Sequence, residues 1–230
     1  MTLTKVAVVL MSGGMDSAVA AALVRQQGYE LAALHVMYGH RTAGRERQAF
    51  SDICSTWGIV RRLEVSIDYL RAIGGSALTD PTLPLPEGRL DREGIPPTYI
   101  PFRNANLLSI ATSWAEVLGA GAIAIGAVEE DSSGYPDCRE VFYEAFQRVI
   151  DTGTRPQTRI QLLTPVIHFR KSQIVRAGAE LGVPFHLTWS CYSREDIACG
   201  ECDSCLLRLR GFREAGLPDP LPYARLPQWV

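Results

Sequence analysis

The sequence predicts an α/β fold: a doubly wound, mostly parallel sheet with a helical appendage at the C-terminal end. Three observations carry this expectation. Short apolar runs alternate with helix-like segments over 5–67 and again over 106–181. A six-residue turn, Ser12-Gly13-Gly14-Met15-Asp16-Ser17, joins the first apolar run to the first helix. Four cysteines, Cys191, Cys199, Cys202 and Cys205, crowd into one short stretch near the end.

Each element has its own reason. Val6-Ala7-Val8-Val9-Leu10 sets a strand over 5–11, and Ala18-Val19-Ala20-Ala21-Ala22-Leu23-Val24 sets a helix over 17–27, stopped by Gly28. Residues 31–38 form a second strand, apolar on both faces as the inside of a parallel sheet requires. Gly39-His40-Arg41 turns the chain into a helix over 45–57, ended by Gly58, and a third strand follows over 59–67. Residues 74–101 hold Gly74-Gly75 and six prolines, too long for an ordinary connection and so a functional or mobile loop. A strong helix spans 106–118, and Ala122-Ile123-Ala124-Ile125 is a buried strand.

Gly119-Ala120-Gly121-Ala122-Ile123-Ala124 spells G-x-G-x-x-[GA], but it precedes a strand instead of following one, so the dinucleotide-binding reading fails. After that strand comes a carboxylate-rich loop over 126–139, at the predicted ligand edge of the sheet. A helix over 140–151 is expected to bury Val141, Phe142, Ala145, Phe146 and Val149. A strand over 160–163 and a helix over 172–181 complete the alternation, and a last helix spans 204–213. Two units follow: 1–185 as the α/β domain and 186–230 as the cysteine-bearing region packed on it. His35 and Cys54 read as core, Cys138 as a packing residue, and His40 and His186 as polar-loop residues.

The chain has 230 residues, with 47% hydrophobic and 21% charged, which suits a globular chain of this size. Lys+Arg 23 against Asp+Glu 25 argues against a broad nucleic-acid-gripping face. The first apolar run is too short for a membrane span or a signal peptide, so a cytoplasmic protein without membrane partners is expected. Six cysteines in that setting point to metal or catalysis and not to a disulfide framework.

The turn at 12–17 has the chemistry of a phosphate site. Its glycines allow a close backbone approach, Ser12 and Ser17 add hydroxyls, and the new helix opens with unpaired N–H groups. Asp16 would repel a phosphate unless it holds Mg²⁺, orients the loop or caps the helix. No lysine follows the glycines, so this is not a Walker-type loop. Arg103, near a helix start, can meet a phosphate or carboxylate, and Arg170 and Lys171 can supply the positive charge that the glycine loop lacks. The cysteines form C-x₇-C-x₂-C-x₂-C. Four thiolates close a tetrahedral shell, which favours structural zinc over an iron–sulfur cluster or a redox pair.

The turn resembles the SGGxDS loop of the pyrophosphate-loop ATPases, which cleave ATP between its α and β phosphates and adenylate a substrate. The wider chain resembles one family closely, the 7-cyano-7-deazaguanine synthases of the queuosine pathway. That likeness rests on the turn, Tyr38-Gly39-His40-Arg41, Arg103-Asn104, Gly126 with Glu129 and Asp131, Ser133-Gly134-Tyr135-Pro136-Asp137-Cys138-Arg139, Lys171 and the four cysteines. It implies an adenine nucleotide alpha hydrolase-like, Rossmann-like fold and a homodimer. It implies a ligase that joins ammonia to 7-carboxy-7-deazaguanine through adenylated intermediates and ends at the nitrile.

By the same resemblance, Met11, Ser12, Gly13, Gly14, Met15, Asp16, Ser17, Ala18, Val19, Ala20 and Ala21 hold ATP with Mg²⁺. Asp16, Arg103 and Lys171 are the catalytic candidates. Arg103, Asn104, Glu129, Asp131, Tyr135 and Asp137 line the substrate end, and zinc sits on the cysteines. The sequence departs from the common pattern at Met15, at Phe102 where glycine is usual, and around Val128-Glu129. Competing readings are a tRNA thiolase of the same superfamily, a nucleotide-sensing binding module, and the same chemistry on another acceptor.

Overall fold

The protein is described from a computed structural model that covers residues 5–90, 94–129 and 134–229. Five parallel strands, β1 (Val6–Leu10), β2 (Glu30–Met37), β3 (Arg62–Ser66), β4 (Ala122–Ile125) and β5 (Gln161–Leu163), make one sheet in the order β3-β2-β1-β4-β5. The chain reverses its winding between β1 and β4, so a crevice opens at their carboxyl ends. Leu10 pairs with Ile125, which sets Met11 beside Gly126 at that point.

The alternation of side chains along the strands builds two cores. Ala7, Val9, Ala33, Ala122 and Ala124 face α1 (Met15–Gln26), α2 (Ala43–Thr56), α6 (Lys171–Glu180) and α7 (Asp203–Ala215). Val8, Leu10, Leu34, Ile123 and Ile125 face α4 (Arg103–Leu118) and α5 (Glu140–Gly153). The expected doubly wound α/β fold is therefore the observed one.

Some expectations change. On α5, Val141 and Val149 are 59% and 57% exposed, and the buried face is Tyr143, Phe146 and Ile150. Those three recur at helical spacing and meet the sheet, while the two valines lie round the other side. A one-turn helix, α3 (Tyr69–Ile73), follows β3 where helix signals fade. His40 is buried and stacked on Tyr38, not solvated in a loop. His35 and Cys54 lie in the core as expected.

Between α3 and α4 the described residues hold no helix or strand. They are nonetheless fastened at two points. The Arg41 guanidinium donates to the carbonyls of Ala77 and Asp80, each at 3.0 Å. Farther along, Gly88 N–H donates to the Glu201 carbonyl and Arg89 N–H to Asp203 Oδ1, at 3.1 and 2.7 Å. A side chain at 88 would stand 2.0 Å from that carbonyl, so only glycine permits the crossing.

Candidate active site

The turn at 12–17 begins where β1 ends. Gly13 has φ +86°, and a Cβ there would meet the Glu46 carbonyl at 2.4 Å. Gly126 is as tight: its Cβ would lie 2.7 Å from Ser17 Cα. These two glycines let α2 and β4 close on the start of α1. Within the turn, Ser17 Oγ donates to the Gly14 carbonyl at 2.9 Å and accepts the Ser12 N–H at 3.2 Å. The loop is thus held open by its own hydroxyls, with the first N–H groups of α1 directed outward.

Asp16 and Lys171 meet there, Nζ to Oδ2 at 2.5 Å, although they lie far apart in sequence. Lys171 is buried at the start of α6. The second oxygen of Asp16, Oδ1, is buried without a hydrogen-bond partner. A buried carboxylate oxygen left over beside a phosphate-shaped turn fits a divalent cation such as Mg²⁺.

Arg103 opens α4. Phe102 before it has φ +56° and ψ +26°, the non-glycine residue in left-handed conformation among the described residues. Its N–H donates to Tyr99 Oη at 3.0 Å, which helps hold the strained turn. The Arg103 guanidinium lies 5.4 Å over the Tyr38 ring and donates to the Asn104 side-chain oxygen. Among the described residues no carboxylate pairs with it, so its charge is available to a ligand. Burial pushes the Tyr38 phenol up to about 12, keeping it neutral beside that charge.

These groups line one cavity of about 270 Å³. Met11, Ser12, Gly14, Met15, Asp16 and Ser17 form one end; Tyr38, Arg103, Asn104, Tyr135 and Cys138 form another wall. Ala18, Val19, Ala20 and Ala21 are wholly buried in α1 and pack the helix in place. Asp137 stands behind the wall: its Oδ2 accepts the Asn104 N–H at 2.8 Å and so caps α4. Glu129 accepts the Glu140 N–H at 3.0 Å at the start of α5. Asp131 lies outside the described residues. Burial pushes the Cys138 thiol up to about 11, which favours its neutral form at the cavity wall.

The third wall comes from the C-terminal region, through Trp189, Ser190, Tyr192, Ser204, Leu207 and Arg208. Trp189 N–H donates to the Gly13 carbonyl at 2.9 Å, and the Arg45 guanidinium lies 4.6 Å over its ring. Sequence reasoning missed this wall, and it missed Glu46. In a sequence, single residues of those kinds, Trp189, Ser190 and Tyr192 in a loop and the others on helices, are indistinguishable from solvated or core positions.

Behind this wall lies the cysteine quartet, all four side chains buried with their sulfurs within 4.8 Å of one another. Cys199 Sγ and Cys205 Sγ are 3.8 Å apart. Tetrahedral zinc with Zn–S of about 2.3 Å would need sulfurs about 3.8 Å apart. The N–H groups of Glu201 and Cys202 also point at Cys199 Sγ, at 3.4 and 3.3 Å. Four sulfurs at this spacing, with backbone N–H groups donating to them, can hold an ion such as zinc.

The model of one family, queuosine biosynthesis protein QueC, matches residues 6–216. The chain belongs to the QueC family. Among its relatives, the 7-cyano-7-deazaguanine synthase of Chlorobium chlorochromatii is 56% identical over 97% of this chain and 98% of its own length. That of Chlorobaculum tepidum is 58% identical over 97% of this chain and 99% of its own. A solved 4-thiouridine synthetase–RNA complex with bound ATP matches with a TM-score of 0.52 and 18% identity, over 95% of this chain and 47% of that longer one. This last likeness is one of fold alone. No described helix is long and apolar enough to cross a membrane.

Proposed function

We propose that this QueC-family protein converts 7-carboxy-7-deazaguanine and ammonia to 7-cyano-7-deazaguanine at the cost of two ATP. The observation that carries the reading is one cavity that joins a phosphate-shaped turn to Arg103, a cation without a carboxylate partner among the described residues. The names of the relatives over nearly their full length point to the same chemistry.

Under this reading 1–185 is the ATP-binding domain and 186–230 its metal-bearing region. The N–H groups at the start of α1 receive the phosphates, and Arg103 holds the substrate carboxylate. Attack of that carboxylate on the α-phosphorus expels pyrophosphate and leaves an acyl adenylate. Ammonia displaces AMP and gives the amide. The amide oxygen attacks a second ATP, again releasing pyrophosphate. Loss of the N–H protons and departure of AMP then form the C≡N bond.

Lys171 balances developing phosphate charge and holds Asp16 in place. Asp16 Oδ1 would ligate Mg²⁺, which when bound neutralises the leaving pyrophosphate. Zinc on Cys191, Cys199, Cys202 and Cys205 is structural, because four thiolates leave no position for water. Asn104 and Tyr135 complete the substrate wall, with Asp137 behind Asn104 and Glu129 at the start of α5; Asp131 is assigned to the substrate by the sequence alone. A cytoplasmic homodimer without nucleic-acid or membrane partners belongs to the same reading, and exposed Val141 and Val149 offer apolar surface to a second copy.

Mass spectrometry of protein with ATP, Mg²⁺, ammonium and 7-carboxy-7-deazaguanine tests the reading. Nitrile with AMP and pyrophosphate is expected. AMP without nitrile would move the protein to another acceptor, and no substrate-dependent ATP turnover would leave only a nucleotide-binding role.

A further inference from the structure

A cavity that takes a deazaguanine acid needs two opposite chemistries. The carboxylate wants a cation. The far edge of the ring carries N1–H and a 2-amino group, both donors, and wants an acceptor with two oxygens. Among the described residues that line the cavity, the carboxylates are Asp16 and Glu46. Asp16 is engaged by Lys171 at the phosphate end. Asp137 and Glu129 are occupied with backbone N–H groups at the starts of α4 and α5.

Glu46 sits on α2 with its side chain only 13% exposed. Thr42 Oγ1 donates to Oε1 at 3.3 Å, and His40 Nε2 stands 3.0 Å from Oε2 outside hydrogen-bond geometry. Each carboxylate oxygen has two acceptor sites, so at least one on each oxygen remains for a ligand. His40 in turn stacks on Tyr38 with ring centroids 4.2 Å apart, and Arg103 lies over the Tyr38 ring. The wall therefore runs cation, aromatic ring, carboxylate in Arg103, Tyr38 and Glu46, with the His40 imidazole packed behind Tyr38. It presents a charge of each sign at its two ends, with flat surface between them.

We propose that Glu46 is the specificity residue for the ring: its carboxylate accepts N1–H and the 2-amino group of the deazaguanine, while Arg103 holds the acid at the other end. This rests on the function proposed above, and it commits to the deazapurine and not to ATP as the ligand of Glu46.

The experiment is equilibrium binding to the full chain, measured by calorimetry. The ligands are 7-cyano-7-deazaguanine, its 2-deamino counterpart and a non-hydrolysable ATP analogue. Wild type is expected to prefer the 2-amino ligand. Glu46→Gln should lose about 10- to 100-fold in affinity for it, the range of a hydrogen bond to a charged group. Its affinity for the 2-deamino ligand should fall far less, and ATP-analogue affinity should hold. Intact ATP binding also shows that the variant is folded. Glu46→Asp, which keeps the charge, should keep the 2-amino preference at weaker affinity. Undiminished preference in Glu46→Gln, or a loss confined to the ATP analogue, would overturn the assignment. So would Asp131→Asn abolishing the preference while Glu46→Gln leaves it. A wild type that binds neither deazaguanine ligand would instead overturn the proposed function, and the assignment with it.

Discussion

The sheet and the cysteine region meet at one cavity but are held together differently. In β1, β2 and β4 nearly every side chain is apolar and buried, backed by the alanines of α1. Each fully buried aliphatic contributes about 1.5–3 kcal/mol, spread over many contacts. The cysteine region leans on a few polar groups. Arg208, 1% exposed, donates to both oxygens of Asp219 at 2.7 and 2.9 Å and to Thr188 Oγ1 at 2.6 Å. Tyr223 Oη donates to Asp219 Oδ2 at 2.7 Å, and Ala224 N–H donates to the Ala198 carbonyl at 2.8 Å. Distributed burial tolerates loss of a part, whereas a small polar hub does not. The cavity therefore has robust walls and one conditional wall.

Emptying the proposed metal site at the quartet tests this contrast most strongly. Binding at such sites is worth something on the order of 10 kcal/mol. Chelation, or Cys202→Ser, should expose 186–229 to protease while the far-ultraviolet circular dichroism of the sheet persists. Collapse of both regions together would erase the distinction. Next comes Asp219→Ala, which strands a buried guanidinium and should cost about 3–5 kcal/mol by urea titration. A matched trim in the sheet, Ile123→Val, should cost only about 0.5–1.5 kcal/mol.

His35 sharpens the comparison as the polar exception inside the sheet. Its Nδ1 donates to the Met11 carbonyl at 2.9 Å, and its Nε2 is buried without a partner. Burial lowers its pKa from 6.5. The unfolded chain then binds the proton more readily, so the stability this group contributes is present above pH 6.5 and lost as pH falls below it. His35→Asn keeps a donor for Met11 and should flatten that part of the pH–stability curve.

The sheet could be read from the sequence because parallel strands leave uninterrupted apolar runs, as in Val6–Leu10. The glycine turn at the end of β1 and the cysteine quartet were equally legible as structures, since both are local patterns with fixed spacing. What escaped was assembled from afar. Arg208 reads as an ordinary helix arginine until Asp219 folds over it. Glu46 reads as a solvated helix charge until Trp189 and Tyr192 roof the cavity beside it. Asp137 reads as a ligand group because its loop sits at the right edge, yet its oxygen is occupied by α4. Of the α5 residues expected in the core, Phe146 is buried and Phe142 packs against the core, while Val141 and Val149 face outward although they too recur at near-helical spacing. Phe102 shows the reverse: its left-handed backbone explains in physical terms why glycine suits that position.

Gly211 carries a consequence for anyone who rebuilds this scaffold. A Cβ there would stand 2.8 Å from Lys171 Cβ, so α7 rests directly on the residue that grips Asp16. Cys205 lies on the same helix, less than two turns away. The helix is a short rigid lever with the quartet at one end and the lysine at its fulcrum. A grafted metal knuckle that tilts this helix would dislodge the cation of the phosphate site without altering a single residue in the cavity.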